Sequence, residues 1–452
     1  MSSSKELELR APEAAFLALL FEKLANAGMD YCVMRNFESL PASLNGSDLD
    51  LLVYPECRDE LAKVVIEAAR SCGGRLISEY ITAGRYMKFL GCHDNKWWGA
   101  AIDLMPGLDY RGVVYLDASP IIHRAEDYNG IKVCAPYDID MMALIKELLN
   151  NGKTRRNYLP AAVSAFESYG EDALLTAKEA FGSEWAQDFG TWLSLTKGDS
   201  VDVKSMAHKM RLAVKKKHQS AQKGSFWVNL AKRMGRLWSP PGMVIAVTGT
   251  DGAGKTTVID KITPVLEKAT HGKINYEHLR PNWLPALGVA VGKRTAAQEG
   301  PVTDPHGKKS SGIVGSIVRL LYYWCDYVLG YYKKTYPIIV RKSHICLFDR
   351  YYYDIVIDPR RMRMSLSRWV MKLTYSLTPK PSLVVCLGAD PETLYTRKPE
   401  TSIDEVNRQV TEYRRLAMED SRAVWIDTAQ DIDGTVDDVL RAIQITMANR
   451  YE

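Results

Sequence analysis

Residues 249–256 read Gly-Thr-Asp-Gly-Ala-Gly-Lys-Thr, a spacing suited to wrapping phosphate. The glycines let backbone N–H groups close around phosphate oxygens, Lys255 reaches the β- and γ-phosphates, and the Thr256 hydroxyl can sit on Mg²⁺ at the positive end of a following helix. The apolar run Met243-Val244-Ile245-Ala246-Val247 precedes the loop and a helix-like stretch follows it, which is the strand–loop–helix context the motif requires. Gly249, Asp251, Gly252, Ala253, Gly254, Lys255, Thr256 and Thr257 are therefore the residues expected to meet a nucleoside triphosphate, ATP or GTP, together with Mg²⁺.

Two further sets of residues could do chemistry. The run Ile345-Cys346-Leu347-Phe348 ends in Asp349-Arg350, an acidic residue at the tip of a buried strand followed by a cation. Phosphoryl transfer needs both, because its catalysis is mostly positioning and charge neutralisation. In the first half, Gly46-Ser47-Asp48-Leu49-Asp50-Leu51-Leu52-Val53 puts Asp48 and Asp50 on one face of a strand, since side chains two apart project the same way. Asp103, in the apolar run 99–105, is a third carboxylate. Clustered carboxylates on apolar strands are costly without a balancing cation, so Asp48, Asp50 and Asp103 are candidate metal ligands.

The elements that must position these residues follow from the hydrophobic pattern. The second half alternates strands at 243–248, 274–278, 344–348, 382–387 and 423–426 with helical stretches, which predicts a parallel sheet with helices on both faces and ligands at the carboxyl ends of its strands. The first half predicts a helix over 14–26, strands at 31–34, 48–53 and 99–105, and a helix over 60–71. A helical stretch from Tyr137 to about Leu195 should pack as a small bundle beside that sheet. From Val203 to Thr250 there is no Asp or Glu, while Lys215-Lys216-Lys217 and Lys232-Arg233 are interleaved with Phe226, Trp227 and Trp238. Pro240-Pro241-Gly242 closes this stretch as a boundary. The expected domains are 1–200, a basic connector 201–240, and 241–452.

Bulk properties exclude several classes. A chain of 452 residues fits two or three domains. At 46% hydrophobic and 25% charged it has an ordinary globular composition, with no repeat or low-complexity tract. Its eight cysteines include no C-x-x-C pair, so neither a zinc site nor a disulfide framework is suggested and the thiols fit a reducing cytosol. Met-Ser-Ser-Ser-Lys-Glu lacks the basic-then-apolar order of a secretory signal, and a cytoplasmic protein is expected. Arg319 and Asp326 interrupt the apolar stretch 313–332, which predicts a buried amphipathic helix rather than a membrane span. A net charge of +5 is modest and no nucleic-acid-binding motif stands out, so nucleic acid is not an expected partner. The connector reads as a solvated linker or as a peripheral contact with anionic lipid at the inner membrane; a homodimer is left open.

Taken together, 249–257, Arg280-Pro281, Asp349-Arg350-Tyr351, and Pro381-Ser382-Leu383-Val384-Val385-Cys386-Leu387 leading to Pro391-Glu392 and Arg397-Lys398 resemble thymidylate kinases from about Val244 to the C-terminus. The resemblance implies ATP-dependent phosphoryl transfer, with Asp251 approaching the acceptor sugar hydroxyl, Arg280 and Arg350 near an acceptor phosphate, and Arg397 in a lid. Ala253 stands where some members carry an arginine, which implies that a lid arginine supplies transition-state charge. Where that family holds thymine with a Ser/Ala-Tyr-Gln segment, this chain has residues 352–361, Tyr-Tyr-Asp-Ile-Val-Ile-Asp-Pro-Arg-Arg. A Gly/Lys-rich insertion between Arg280 and Arg341 also bears on the acceptor side. Chains with these features resemble thymidylate-kinase-like proteins that accompany bacterial surface-polysaccharide synthesis, implying a sugar or glycan acceptor. Arg360, Arg361 and Arg363 could grip an acidic substrate or form a solvated basic edge.

The first half, with Gly-Ser-Asp-Leu-Asp-Leu-Leu-Val followed by Ala-Ile-Asp-Leu, resembles the nucleotidyltransferase fold, whose carboxylates hold Mg²⁺ for two-metal transfer. That family's separate Gly-Ser is here Arg35-Asn36. The fold class expected is therefore α/β twice over: a nucleotidyltransferase-like mixed sheet with a helical appendage, then a P-loop parallel sheet. The leading functional expectation is a Mg²⁺-dependent kinase using Lys255, Thr256, Asp349, Arg350 and Arg397. The alternatives are a dTMP or nucleoside monophosphate kinase, a nucleotidyltransferase working through the N-terminal carboxylates, and a nucleotide-binding scaffold without turnover.

Overall fold

Short runs of apolar residues at strand spacing, broken by turns, build the first half around a seven-stranded mixed sheet. In the computed structural model, which describes residues 11–154, 157–195, 202–217, 234–272, 274–285, 287 and 311–451, the chain divides into two units, Met1–Gly235 and Arg236–Glu452. The strands of the first are β1 (Tyr31–Val33), β2 (Leu49–Val53), β3 (Gly74–Ile81), β4 (Arg85–His93), β5 (Lys96–Met105), β6 (Gly107–Tyr110), β7 (Val113–Asp117), β8 (Glu126–Tyr128) and β9 (Ile131–Val133). The sheet order is β3-β4-β5-β2-β1-β9-β8, with β6 and β7 as a separate pair. Every residue of β2 is buried, as a strand covered on both faces requires. It runs parallel to β5 and antiparallel to β1, and Asp50 stands directly opposite Asp103.

Helices α1 (Ala14–Asn26) and α2 (Arg58–Ser71) belong to one core of this unit, with Phe16, Leu20, Leu61 and Val65 buried beside Leu49, Leu51 and Trp98. The second core lies among α3 (Ser119–His123), α4 (Pro136–Asn151), α5 (Tyr158–Tyr169), α6 (Leu175–Phe181), α7 (Ser183–Leu195) and α8 (Val203–Lys217). The helical appendage is thus present, and α8 extends it into the stretch expected to be a connector. Met206, Ala207, Met210 and Val214 of α8 are buried in that core, and Arg211 Nε donates to the Leu149 carbonyl at 2.8 Å. Periodic apolar residues had room to act there despite the basic composition. Phe226, Trp227, Lys232 and Arg233 lie outside the described residues.

The second unit has strands β10 (Met243–Gly249), β11 (Asn275–His278), β12 (Ile345–Asp349), β13 (Leu383–Gly388) and β14 (Ala423–Asp427) in the order β11-β12-β10-β13-β14, every pair parallel. Its helices are α9 (Lys255–Thr270), α10 (Ile313–Gly330), α11 (Tyr352–Ile357), α12 (Arg368–Ser376), α13 (Pro391–Arg397), α14 (Ile403–Glu419) and α15 (Ile432–Ala448). All seven residues of the central strand β10 are buried, so the sheet is covered on both faces. This is the expected α/β architecture, a parallel sheet with helices packed on it and the 249–256 loop at the carboxyl end of its central strand.

Helix α10 corrects one expectation. Much of its apolar side faces outward, with Ile313 68%, Val314 77% and Val318 55% exposed, while Ser316, Asp326 and Tyr327 are buried. Asp326 goes inside because Arg280 and the Leu284 N–H satisfy it; a buried charge needs such partners. Among the described residues no helix is long and apolar enough to cross a membrane.

The first unit closes around Trp98, which stacks on Phe16 at 4.8 Å and donates to the Cys72 carbonyl at 3.0 Å. Glycines make the space: a Cβ on Gly91 would lie 2.3 Å from the Trp98 ring, and one on Gly74 would lie 2.6 Å from it. Gly91→Ala is expected to destabilise the unit by about 1–3 kcal/mol, the usual cost of overpacking, measured as a lower denaturant midpoint with the slope unchanged.

Candidate active site

Strand β10 delivers the chain into the phosphate-binding loop through Gly249, whose φ is 146° and whose Cβ, were there one, would meet the Leu387 carbonyl oxygen at 2.1 Å. No side chain fits there. Gly252 and Gly254 have φ of 82° and 78°, the left-handed region that glycine enters without strain, and Gly254 hands the chain to the N-terminus of α9. Ala253 is buried, while Thr256 and Thr257 stand exposed on the first turn of that helix. Lys255 is buried and turned back on its own loop, with Nζ donating to the carbonyls of Gly249 at 3.1 Å and Thr250 at 2.7 Å. Burial, reinforced by the Arg350 charge, pushes its ammonium down to about 7.

The neighbouring strand β12 brings Asp349 beside this loop, opposite Val247 of β10. Asp349 Oδ2 accepts from the Tyr276 hydroxyl at 3.3 Å and lies 3.3 Å from His278 Nδ1. Burial works to raise its pKa, but the His278 contact and the Lys255 charge prevail and hold it below the ordinary carboxylate value. Asp349 Oδ1 is buried with no partner among the described residues, and so is Thr250 Oγ1. Unpaired buried oxygens are rare in folded proteins and call for a missing group. Oxygen donors are what Mg²⁺ takes, and Asp349 with the Thr256 hydroxyl supplies them, so the residues present fit the ion.

Behind the loop lies a buried ionic cluster. The Asp354 carboxylate, 2% exposed, accepts from the Thr248 hydroxyl (2.6 Å) and Tyr351 N–H (2.9 Å) on one oxygen, and from the Tyr413 hydroxyl (2.8 Å) and Arg350 Nη1 (3.0 Å) on the other. Arg350, with a φ of 73°, also donates through Nη2 to Asp251 Oδ1 at 2.5 Å. The second Asp251 oxygen takes Arg361 Nη1 at 2.7 Å. Burial would raise Asp251, yet Arg350 and Arg361 hold it far below the usual carboxylate range. Burial opposes the charge on Arg350 as well, but Asp354 and Asp251 keep it protonated.

Asp251, Lys255, Asp349 and Arg350 therefore come together. Arg397 ends α13, donating to the Thr428 carbonyl at 3.0 Å, and its Cβ and that of Lys398 would lie 3.5 and 3.3 Å from a Cβ on Gly252. Its exposed side chain thus starts next to the loop. Arg280 is elsewhere engaged: it is buried, with Nη1 on Asp326 Oδ2 at 2.8 Å and on the Leu284 carbonyl at 3.0 Å. Asp354, Tyr276 and His278 had no place among the expected site residues, and Arg361 was expected only together with Arg360 and Arg363, as a grip on an acidic substrate or a solvated basic edge. The i,i+4 spacing of Arg350 and Asp354 was the legible signal for the first of them.

In the first unit, Arg35 lies against two of the three carboxylates, and the Lys146 charge acts on Asp50 and Asp103. Arg35 Nε lies 2.8 Å from Asp50 Oδ2 and its Nη2 3.7 Å from Asp48 Oδ1. Burial, then the Asp48 charge, raises Asp50; burial and Asp50 push Asp103 up to about 7. Arg35 also lines a cavity of about 260 Å³ with Lys146, Asn150 and Tyr158. Among the described residues, no group of three His, Cys, Asp or Glu is disposed to hold a metal ion; Asp50 and Asp103 stand opposite each other on neighbouring strands, with Asp48 just ahead of the first.

No protein-family model matches the chain. Among solved structures, a thymidylate kinase from Ehrlichia chaffeensis is similar to it at 18% identity with a TM-score of 0.31, over 45% of this chain and 98% of that one.

Proposed function

We propose that the Arg236–Glu452 unit is a phosphotransferase that binds ATP with Mg²⁺ on the 249–256 loop and transfers the γ-phosphoryl group to a sugar or glycan acceptor of surface-polysaccharide synthesis. The observation that carries the reading is the pair of unpartnered buried oxygens, Asp349 Oδ1 and Thr250 Oγ1, at a glycine loop with a buried lysine. Asp349 and Thr256 would hold Mg²⁺, which when bound spreads and neutralises the phosphate charge. The loop N–H groups and the α9 N-terminus bind the triphosphate, and Lys255 leaves its two carbonyls to meet the β/γ-phosphates. Asp251 then faces the acceptor, held between Arg350 and Arg361, which fix its orientation and offset charge that develops on transfer. Arg397, starting beside Gly252, is placed to close over the phosphates. The acceptor class rests on the resemblance carried by residues 349–361.

Lys255→Ala is expected to cut ADP formation by about 10²–10³-fold, the usual loss of one preorganised donor in a water-poor site. The test is ADP release by the full chain with ATP and Mg²⁺ over a panel of sugars, glycan fragments and dTMP, with Lys255→Ala as the blank. Lys255-dependent turnover on a sugar or glycan supports the reading. Turnover on dTMP alone makes the unit an ordinary nucleotide kinase, and none on any acceptor removes the kinase reading.

Nucleotide binding should also take up protons. With its pKa at about 7 in the free protein, Lys255 is largely neutral above that pH, while a triphosphate favours the ammonium form. Affinity is therefore highest below pH 7 and falls as pH rises through 7 to 8. Calorimetry in buffers of different ionisation enthalpy should record net proton uptake at pH 8 that disappears in Lys255→Met.

A further inference from the structure

A carboxylate pair on apolar strands demands a positive charge, and the first unit already contains one. Asp50 is 2% exposed on the fully buried strand β2, directly opposite Asp103 of β5, while Asp48 precedes that strand on the same side. Arg35, two residues beyond β1, places one edge of its guanidinium across both: Nε on Asp50 Oδ2 at 2.8 Å and Nη2 near Asp48 Oδ1 at 3.7 Å. Since β1 pairs antiparallel with β2, with Val33 opposite Leu51, and Met34 N–H bonds the Asp50 carbonyl at 2.9 Å, the backbone itself delivers Arg35 to the carboxylates. Access does not decide the matter. Arg35 has a side-chain exposure of 36% and lines the 260 Å³ cavity, so solvated ions can reach it.

We propose that Arg35 is the resident counter-ion of Asp48 and Asp50, standing in the place a divalent cation would take, so that the first unit binds no Mg²⁺ at Asp48, Asp50 and Asp103. A guanidinium is planar, permanently charged and weakly hydrated, which suits it to a half-buried carboxylate pair better than a lysine. A divalent ion would have to expel it and leave a displaced cation beside itself. With Asp50 bonded to Arg35 and Asp48 beside it, a two-metal clamp of the kind nucleotidyl transfer uses would have to displace the guanidinium before these two carboxylates could serve it. This holds whatever the second unit phosphorylates.

The experiment is Mn²⁺ binding to the full chain without nucleotide, followed by electron paramagnetic resonance, in wild type, Asp50→Asn, Arg35→Gly and the double variant, with thermal unfolding of each. Wild type and Asp50→Asn should bind Mn²⁺ alike, because any bound ion belongs to the other unit. Arg35→Gly should lower Tm by a few degrees and acquire one Asp50-dependent equivalent of Mn²⁺ that restores part of the loss; the double variant should acquire none. Loss of a Mn²⁺ equivalent on going from wild type to Asp50→Asn would overturn the proposal. A folded Arg35→Gly chain with neither gain nor rescue would equally remove Arg35 from the role. Should Arg35→Gly fail to fold, the wild-type and Asp50→Asn comparison still decides.

Discussion

Arg350 can sit 6% exposed beside a phosphate-binding loop only because Asp354 and Asp251 share its charge. Burying an ion costs several kcal/mol unless its partners are fixed and themselves satisfied, and here they are. Asp354 draws its donors from four places: Thr248 on β10, the turn at Tyr351, Tyr413 on α14 and Arg350 itself. One carboxylate thus ties the central strand, the next strand's exit and a covering helix together behind the loop. Arg350 carries the tie forward to Asp251, inside the loop. The loop is therefore tied from beneath to the strands and the helix packed behind it.

How much of this could be read from the chain depends on whether a requirement is local. The loop was legible because glycines at 249, 252 and 254 answer a backbone geometry that extends over eight residues, and Asp349-Arg350 because strand and charge are adjacent. The parallel sheet followed from alternation. What escaped were pairings across long separations: Asp251 with Arg361, Asp349 with Tyr276 and His278, and Arg280 with Asp326. The resemblance implied Arg280 near an acceptor phosphate, whereas its bond to Asp326, 46 residues on, had no local signal. Composition misled at α8 and α10 in opposite directions. A lysine-rich segment still packs if Met206, Met210 and Val214 share a face, and an apolar segment still turns outward when its polar members have partners inside.

The two units meet the same electrostatic problem in different ways. In the second, an aspartate oxygen, Asp349 Oδ1, is left buried with no partner among the described residues. In the first, an arginine of the chain's own has closed over the acids. Similar arrangements of strand and carboxylate thus differ in whether a cation of the chain lies against them, and Arg35, two positions past β1, is the one that does so in the first unit.

Arg350 carries a backbone φ of 73°, where a β-carbon is uncomfortable and glycine or asparagine would relieve strain worth on the order of 1–3 kcal/mol. Its neighbours hold it there: its N–H bonds the Val247 carbonyl at 2.8 Å while the guanidinium spans two carboxylates. Backbone conformation and side-chain bonding thus make opposing demands on one position. A residue chosen only to ease the backbone would lose the guanidinium's bonds to Asp354 and Asp251. Replacements that look kind to the backbone would be the harmful ones.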